Sequence, residues 1–176
     1  MASMQQPEAF YGHLDQSLIL VLKGQVRYMT ARVLRSFVDE LLANESSDTM
    51  VLDLRELEFI DSTGMGLLAR LGRFTLEHGR RAVIVCGVPD VVTCLRSAAF
   101  DTIFILADEW PFDEEASLFE VPLEGREVIP DIMCQVMLDA HRDLSSLSAD
   151  NEQIFAGVIT ALESELARKK TGPTYQ

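Results

Sequence analysis

Residues 58–72 read "EFIDSTGMGLLARLG". The stretch sets an aspartate and two hydroxyl residues between an apolar approach and an amphipathic run. Phe59 and Ile60 close a strand-like segment, and residues 61–64 form a turn. A helix follows Asp61, with Met65 starting or continuing it, and runs to about His78. Gly79 is its C-cap, where only glycine enters the left-handed region without penalty. The apolar stripe of this helix includes Leu67, Leu68, Leu71 and Phe74. Asp61 and Ser62 are both N-cap types, because their side-chain oxygens accept from N–H groups that the first helical turn leaves unpaired. Gly64 and Gly66 cost up to about 1 kcal/mol each in a helix relative to alanine. Two of them in the first turn imply a surface that something approaches closely.

The same residues fit two roles. One is an N-cap with small residues for close packing. The other is a hydroxyl presented at a helix N-terminus, where free N–H groups and the helix dipole tolerate a phosphate. Nucleophilic catalysis fits less well. The stretch is neither the G-x-S-x-G of a nucleophile elbow nor the G-x-x-x-x-G-K-[ST] of a phosphate-binding loop. "HRD" at 141–143 matches a kinase catalytic-loop tripeptide. It lacks the downstream asparagine, the glycine-rich loop and D-F-G, and it lies in a helical pattern, so it carries no kinase reading.

Moving outward, "SLILVLKGQV" (17–26), "MVLDLREL" (50–57), "RAVIVCGV" (81–88) and "DTIFILAD" (101–108) read as strands. Gly24 marks a bend or strand end, and Val83, Ile84 and Val85 are expected in the core. "TARVLRSFVDELLAN" (30–44) is an amphipathic helix with Thr30 as candidate N-cap, and "PDVVTCLRSAAF" (89–100) is a short helix opened by Pro89. The alternation β-α-β-α-β-α-β predicts an α/β fold with a mixed or parallel sheet covered by helices.

The composition changes at residue 109. "EWPFDEEASLFEVPLEG" is acidic and reads as a linker or a surface-packed loop. Two helices follow, at about 129–147 and 151–169, with Ser148 or Asp150 capping the second. Their stripes, Ile132/Met133/Val136/Met137 and Ile154/Val158/Ile159/Leu162, are expected to face inward, and the short connection favours an antiparallel hairpin. The stripes pack on the first domain or on each other, or they serve a dimer or partner. The resulting division is a first domain over 1–108, an acidic linker over 109–128, a helical hairpin over 129–170 and a tail over 171–176.

The chain has 176 residues, is 48% hydrophobic and 24% charged, and carries a formal net charge of −13. That charge argues against grip on nucleic acid or anionic lipid, which select basic surfaces. No apolar run reaches the length of a membrane span, and the first residues lack the pattern of a signal peptide. Cys86, Cys94 and Cys134 have no C-x-x-C spacing and read as reduced buried thiols, consistent with a cytoplasmic protein. With His13, His78 and His141 they form no metal set, so no metal or cofactor is expected.

The pieces "LILVLKGQV", "TARVLRSFVDELL", "VLDLRELEFIDSTGMGLLARL", "RAVIVCGV" and "VVTCLRSAAFDTIFIL", in this order over about residues 8–108, resemble the STAS family. This is the domain shared by anti-sigma factor antagonists and the cytoplasmic tails of sulfate transporters. The D-S-[ST]-G-[LM]-G core carries most of the resemblance. It implies a mixed sheet of four or five strands with helices largely on one side. It also implies a bacterial, non-enzymatic partner switch. The resemblance implies that a serine kinase doubling as anti-sigma factor phosphorylates Ser62, with Thr63 the weaker acceptor, that a phosphatase reverses the step, and that the unphosphorylated form binds the anti-sigma factor. The partner face implied comprises Asp61, Ser62, Thr63, Gly64, Met65, Gly66 and Arg27. Arg27 departs from the family: G-E-[LI]-D at this strand exit is Gly24-Gln25-Val26-Arg27 here. The alternative is a binding module or accessory subunit of a transporter assembly, unphosphorylated; a small-ligand sensor is a third class. The extension beyond residue 109 is not explained by the resemblance.

Overall fold

The computed structural model describes residues 6–44, 47, 49–123 and 130–171. Strands β1 (Glu8–Leu14), β2 (Ser17–Val26), β3 (Thr49–Asp53), β4 (Leu57–Ile60), β5 (Ala82–Val85), β6 (Phe104–Ala107) and β7 (Ser117–Glu120) form one sheet, in the order β6-β5-β3-β2-β1-β7 with β4 also on β2. β1 runs antiparallel to β2 and β7; the β2–β3, β2–β4, β3–β5 and β5–β6 pairs are parallel. Helices α1 (Tyr28–Asn44), α2 (Ser62–Glu77), α3 (Pro89–Ser97), α4 (Pro130–Ser145) and α5 (Ala149–Thr171) complete the chain.

The α/β class and mixed sheet are as expected, with more strands than the four or five anticipated. β1 and β7 pair with each other at the sheet edge, a long-range match that short-range alternation does not reveal. The segment 50–57, read as one strand, is divided. Asp53 accepts hydrogen bonds from the backbone N–H of Arg55 at 3.1 Å and from its guanidinium at 2.9 and 2.8 Å, turning the chain into β4. Gly24, at φ +67°, marks the register shift that lets β2 pair first with β3 and then with β4.

The two sheet faces have different covers. Leu18, Leu20, Leu22, Leu52 and Ile84 face the helices and join Leu34, Leu68, Leu71 and Leu95 in the main core. Ile19, Val21, Val51 and Val85 face the other way, under Phe10, Leu14, Trp110, Phe112 and Ala116. The acidic stretch after 108 is therefore a lid on the sheet, with the Arg55 guanidinium over the Trp110 ring at 4.9 Å, and it continues into β7. Residues 124–129 of the expected linker and hairpin start, and 172–176 of the tail, lie outside the described residues. Ile84 and Val85 are buried as expected, while Val83 is only half-buried, because this second cover is thinner than the helical one.

Two further expectations are corrected. Thr30 does not cap α1; the helix begins at Tyr28, and the Arg27 carbonyl accepts from Ala31 N–H at 2.8 Å. Ile132 and Ile154 do not face inward but are 47% and 67% exposed. On α4 the inward side chains are Met133, Cys134, Leu138, Ala140 and Leu144, and on α5 the half-buried line starts at Phe155. One residue is 100° of helix, enough to turn Ile154 out when its neighbour packs.

The hairpin packs on its own chain: α4 lies against α2 and α5, and more lightly against α1. Arg35–Asp139 (3.4 Å) and Arg73–Asp143 (3.1 Å) link α4 to α1 and α2. Ser148 caps α5 by accepting from Asn151 N–H at 3.1 Å. The Asn151 amide, 1% exposed, donates to the carbonyls of Ala98 at 2.9 Å and Leu144 at 3.0 Å, fixing the hairpin turn to the end of α3.

Candidate functional site

The turn at 61–64 sits where β4 delivers the chain into α2. Leu57 and Ile60 are buried and anchor β4, and the helix starts at Ser62, with Met65 continuing it. Asp61 is the N-cap: its Oδ1 accepts from Gly64 N–H at 2.9 Å. Its Oδ2 accepts from Tyr28 N–H at 2.7 Å, so the same carboxylate serves the first turn of α1. The far end of α2 closes as read from Gly79, which lies at φ +74°. Gly79 N–H donates to the Leu76 carbonyl and Arg80 N–H to that of Thr75, both at 2.9 Å.

Because Asp61 holds the cap, the Ser62 side chain is left for other contacts. Ser62 is half-buried, and its Oγ lies 3.0 Å from His141 Nε2 on α4. The other ring nitrogen, Nδ1, lies 2.7 Å from the Met137 carbonyl. A carbonyl only accepts, so Nδ1 carries a proton, and in the neutral ring Nε2 is the acceptor for the Ser62 hydroxyl. His141 is 4% exposed and its ring meets Phe155 edge-on at 5.6 Å.

The other expected site residues divide into two groups. Thr63 is 3% exposed, which leaves Ser62 as the reachable hydroxyl of the pair. Met65 is 8% exposed, with its sulfur 3.5 Å from Cys94 Sγ, and Gly66 is buried under α4. A Cβ on Gly66 would fall 2.5 Å from both Cα and Cβ of Ala140; this is the close approach that the paired glycines imply. Gly64 is likewise filled around, with Ile60 Cγ1 at 2.7 Å from where its Cβ would be. Gly64, Met65 and Gly66 are thus inside the protein, not on an open face. Arg27 is exposed: its guanidinium lies over the Phe59 ring at 4.4 Å and bonds Gln25 Oε1 at 3.0 Å.

Sequence reasoning did not find Tyr28, Met29 and Phe59, which are exposed beside Arg27 and next to the Asp61 turn. It also set His141 aside with the rejected "HRD" tripeptide; only a contact 79 residues distant in sequence gives the ring a place at the site. Burial raises the thiols of Cys86 and Cys94 above their ordinary range, so neither is an activated nucleophile. Among the described residues no cluster of three His, Cys, Asp or Glu side chains is placed to hold a metal ion, and no helix is long and apolar enough to cross a membrane.

The STAS domain model matches residues 8–117, from β1 through the sheet lid to the first residue of β7. The chain belongs to the STAS domain family. Among curated proteins, an anti-sigma F factor antagonist of Paenibacillus polymyxa is 36% identical over 72 residues, 40% of this chain and 60% of that relative. This STAS chain therefore spans less than two thirds of that relative's length in the match. Among solved structures, an anti-sigma factor antagonist from Mycobacterium paratuberculosis superposes with a TM-score of 0.51 at 18% identity, covering 62% of this chain and 92% of the other. The protein TM1081 superposes with a TM-score of 0.50 at 21% identity, covering 56% and 78%. At such identities the likeness is one of STAS fold, and α4 and α5 lie beyond the matched domain.

Proposed function

We propose that this STAS protein is a bacterial, cytoplasmic anti-sigma factor antagonist that acts by binding, not catalysis, and is switched by phosphorylation of Ser62. The observation that carries the reading is the Ser62 hydroxyl itself. It stands half-exposed in the first turn of α2, released from capping duty by Asp61. A phosphoryl group there adds about −1.5 to −2 charge beside a helix N-terminus, which tolerates it without unfolding the domain. The same charge beside exposed Arg27, Tyr28, Met29 and Phe59 changes what that surface binds. The unphosphorylated form takes the anti-sigma factor; a serine kinase and a phosphatase set the balance. The family membership and the Paenibacillus relative support the antagonist role.

Phosphopeptide mapping of the protein recovered from its own cells tests the switch. A phosphate on Ser62 is the expected result. Phosphate found only outside residues 61–63 would overturn it. Capture of an anti-sigma factor by the unphosphorylated protein, lost with Ser62→Asp and kept with Ser62→Ala, tests the partner.

A further inference from the structure

We propose that the α4–α5 hairpin is an intrachain cover over Ser62, and that docking of α4 on α2 and a phosphoryl group on Ser62 exclude each other. The proposal rests on the Ser62 reading above and adds how access to that residue is regulated.

The docked geometry depends on the proton of the Ser62 hydroxyl. Nδ1 of His141 is committed to the Met137 carbonyl, and in the neutral ring Nε2 accepts from the Ser62 hydroxyl at 3.0 Å. In phosphorylation the Oγ attacks the terminal phosphorus of a nucleoside triphosphate. The Oγ–P bond forms, the bond to the bridging oxygen breaks, the nucleoside diphosphate leaves with that electron pair, and the hydroxyl proton passes to the kinase's base or to water. The product oxygen is an ester and donates nothing. The hydrogen bond from Ser62 to His141 is then lost, and the phosphoryl oxygens need the space that the buried ring fills 3.0 Å from Oγ.

The surroundings give no slack. The His141 ring is 4% exposed and backed by Phe155, so it has nowhere to withdraw. Ala140, the preceding residue, sits so close to Gly66 that a Cβ there would fall 2.5 Å from its Cα. Backbone against backbone leaves α4 no path toward α2, only away from it. Away is the remaining direction: it breaks the partly exposed pairs Arg35–Asp139 and Arg73–Asp143, which hold weakly, and lifts the buried Met133, Leu138 and Leu144 from their packing. The exclusion is reciprocal: a docked hairpin hinders phosphorylation as much as the phosphate opposes docking.

The test installs phosphoserine at position 62 of the full-length chain during translation, so that no kinase is needed, and follows amide hydrogen exchange by mass spectrometry. Residues 133–141 of α4 should exchange about tenfold faster or more than in the unmodified protein, the scale of losing a buried hydrogen bond with its packing. β3 and β5 should stay protected, showing that the sheet remains folded. In the His141→Ala background, phosphoserine should speed α4 exchange by a much smaller factor, because the obstructing ring is gone; this cycle isolates the pair. Exchange of α4 within twofold of the unmodified protein would overturn the proposal, as would a phosphoserine effect that persists in full without the ring. The outcome is separate from the switch reading. Unchanged exchange with native phosphate mapped to Ser62 removes only the cover, whereas native phosphate mapped elsewhere removes the switch.

Discussion

The Asp61 carboxylate joins two helices that are far apart in sequence: Oδ2 accepts from Tyr28 N–H at 2.7 Å, and Oδ1 accepts from Gly64 N–H at 2.9 Å. One residue thus satisfies an N-terminal N–H on both α1 and α2. It fixes exposed Tyr28 and Met29 beside Ser62, and it frees the serine from capping. The geometry of the Ser62 turn and of the apolar patch next to it is consequently one feature, not two.

Removing that carboxylate should affect both helices. Asp61→Ala leaves two N–H groups without acceptors, at a cost of about 1–2 kcal/mol for a lost cap. A thermal melt should fall by about 2–8 °C for a chain of this size while remaining cooperative. Asp61→Asn keeps an oxygen for one of the two donors and should fall between wild type and alanine. A melt of Asp61→Ala equal to wild type would show that neither bond contributes.

Ile84 lies on β5, between β6 and β3, and is 1% exposed, whereas Val83 points to the thinner cover and is half-buried. Ile84→Asp buries a carboxylate without a counter-charge, which costs several kcal/mol. It should abolish the cooperative melt. Val83→Asp should be milder, because the cover on that face already leaves Val83 partly in solvent. Equal effects of the two substitutions would contradict the two-faced burial.

Asp143 is expected to behave as a weak link. Burial raises its carboxyl above the ordinary aspartate value, while Arg73, Arg70 and Arg35 draw it partly back and Asp139 adds to the rise. A raised folded-state value means that the folded protein holds the proton more tightly than the unfolded chain. Between the ordinary and the raised value, stability therefore falls as pH rises, and at neutral pH the charged form carries the cost. Asp143→Asn at pH 7 should stay within about 1 kcal/mol of wild type, since the lost ion pair with Arg73 is small and the desolvation cost is removed. The difference between the two proteins should shift in favour of the variant as pH rises from acid to neutral. Urea melts across that range read it. A loss above about 2 kcal/mol at pH 7 would show that the ion pair dominates.

Asn151 should matter more to the hairpin than any ion pair. Its amide is the donor for two carbonyls, Ala98 and Leu144, in a site closed to water. Asn151→Ala takes the amide donor from the Ala98 carbonyl and leaves that of Leu144 with Leu147 N–H alone, and should cost about 1–3 kcal/mol. Hydrogen exchange should accelerate first in α4 and α5 while β2 and β3 remain protected. Uniform acceleration across sheet and hairpin would instead make the hairpin part of one cooperative unit with the sheet.

The sequence by itself determined the α/β alternation, the extent of α2 from the Asp61–Ser62 pair to Gly79, the hairpin with Ser148 or Asp150 as cap, and the hydroxyl at 62. Each of these rests on local rules: periodicity, capping chemistry and glycine's access to the left-handed region. Tertiary structure decided what those rules do not reach. The β1–β7 pairing joins strands more than a hundred residues apart, and register across such a distance is set by the whole sheet. The stretch after 108 is acidic by composition, yet Trp110 and Phe112 cover an apolar sheet face that has no helix over it. The stripes of α4 and α5 were legible as apolar, but which edge turned inward depended on their mutual packing, and that left Ile132 and Ile154 outside. His141 acquired its place at Ser62 only through the docking of α4 on Gly66. A histidine's neighbours across 79 residues are fixed by packing, not by any pattern in its own segment.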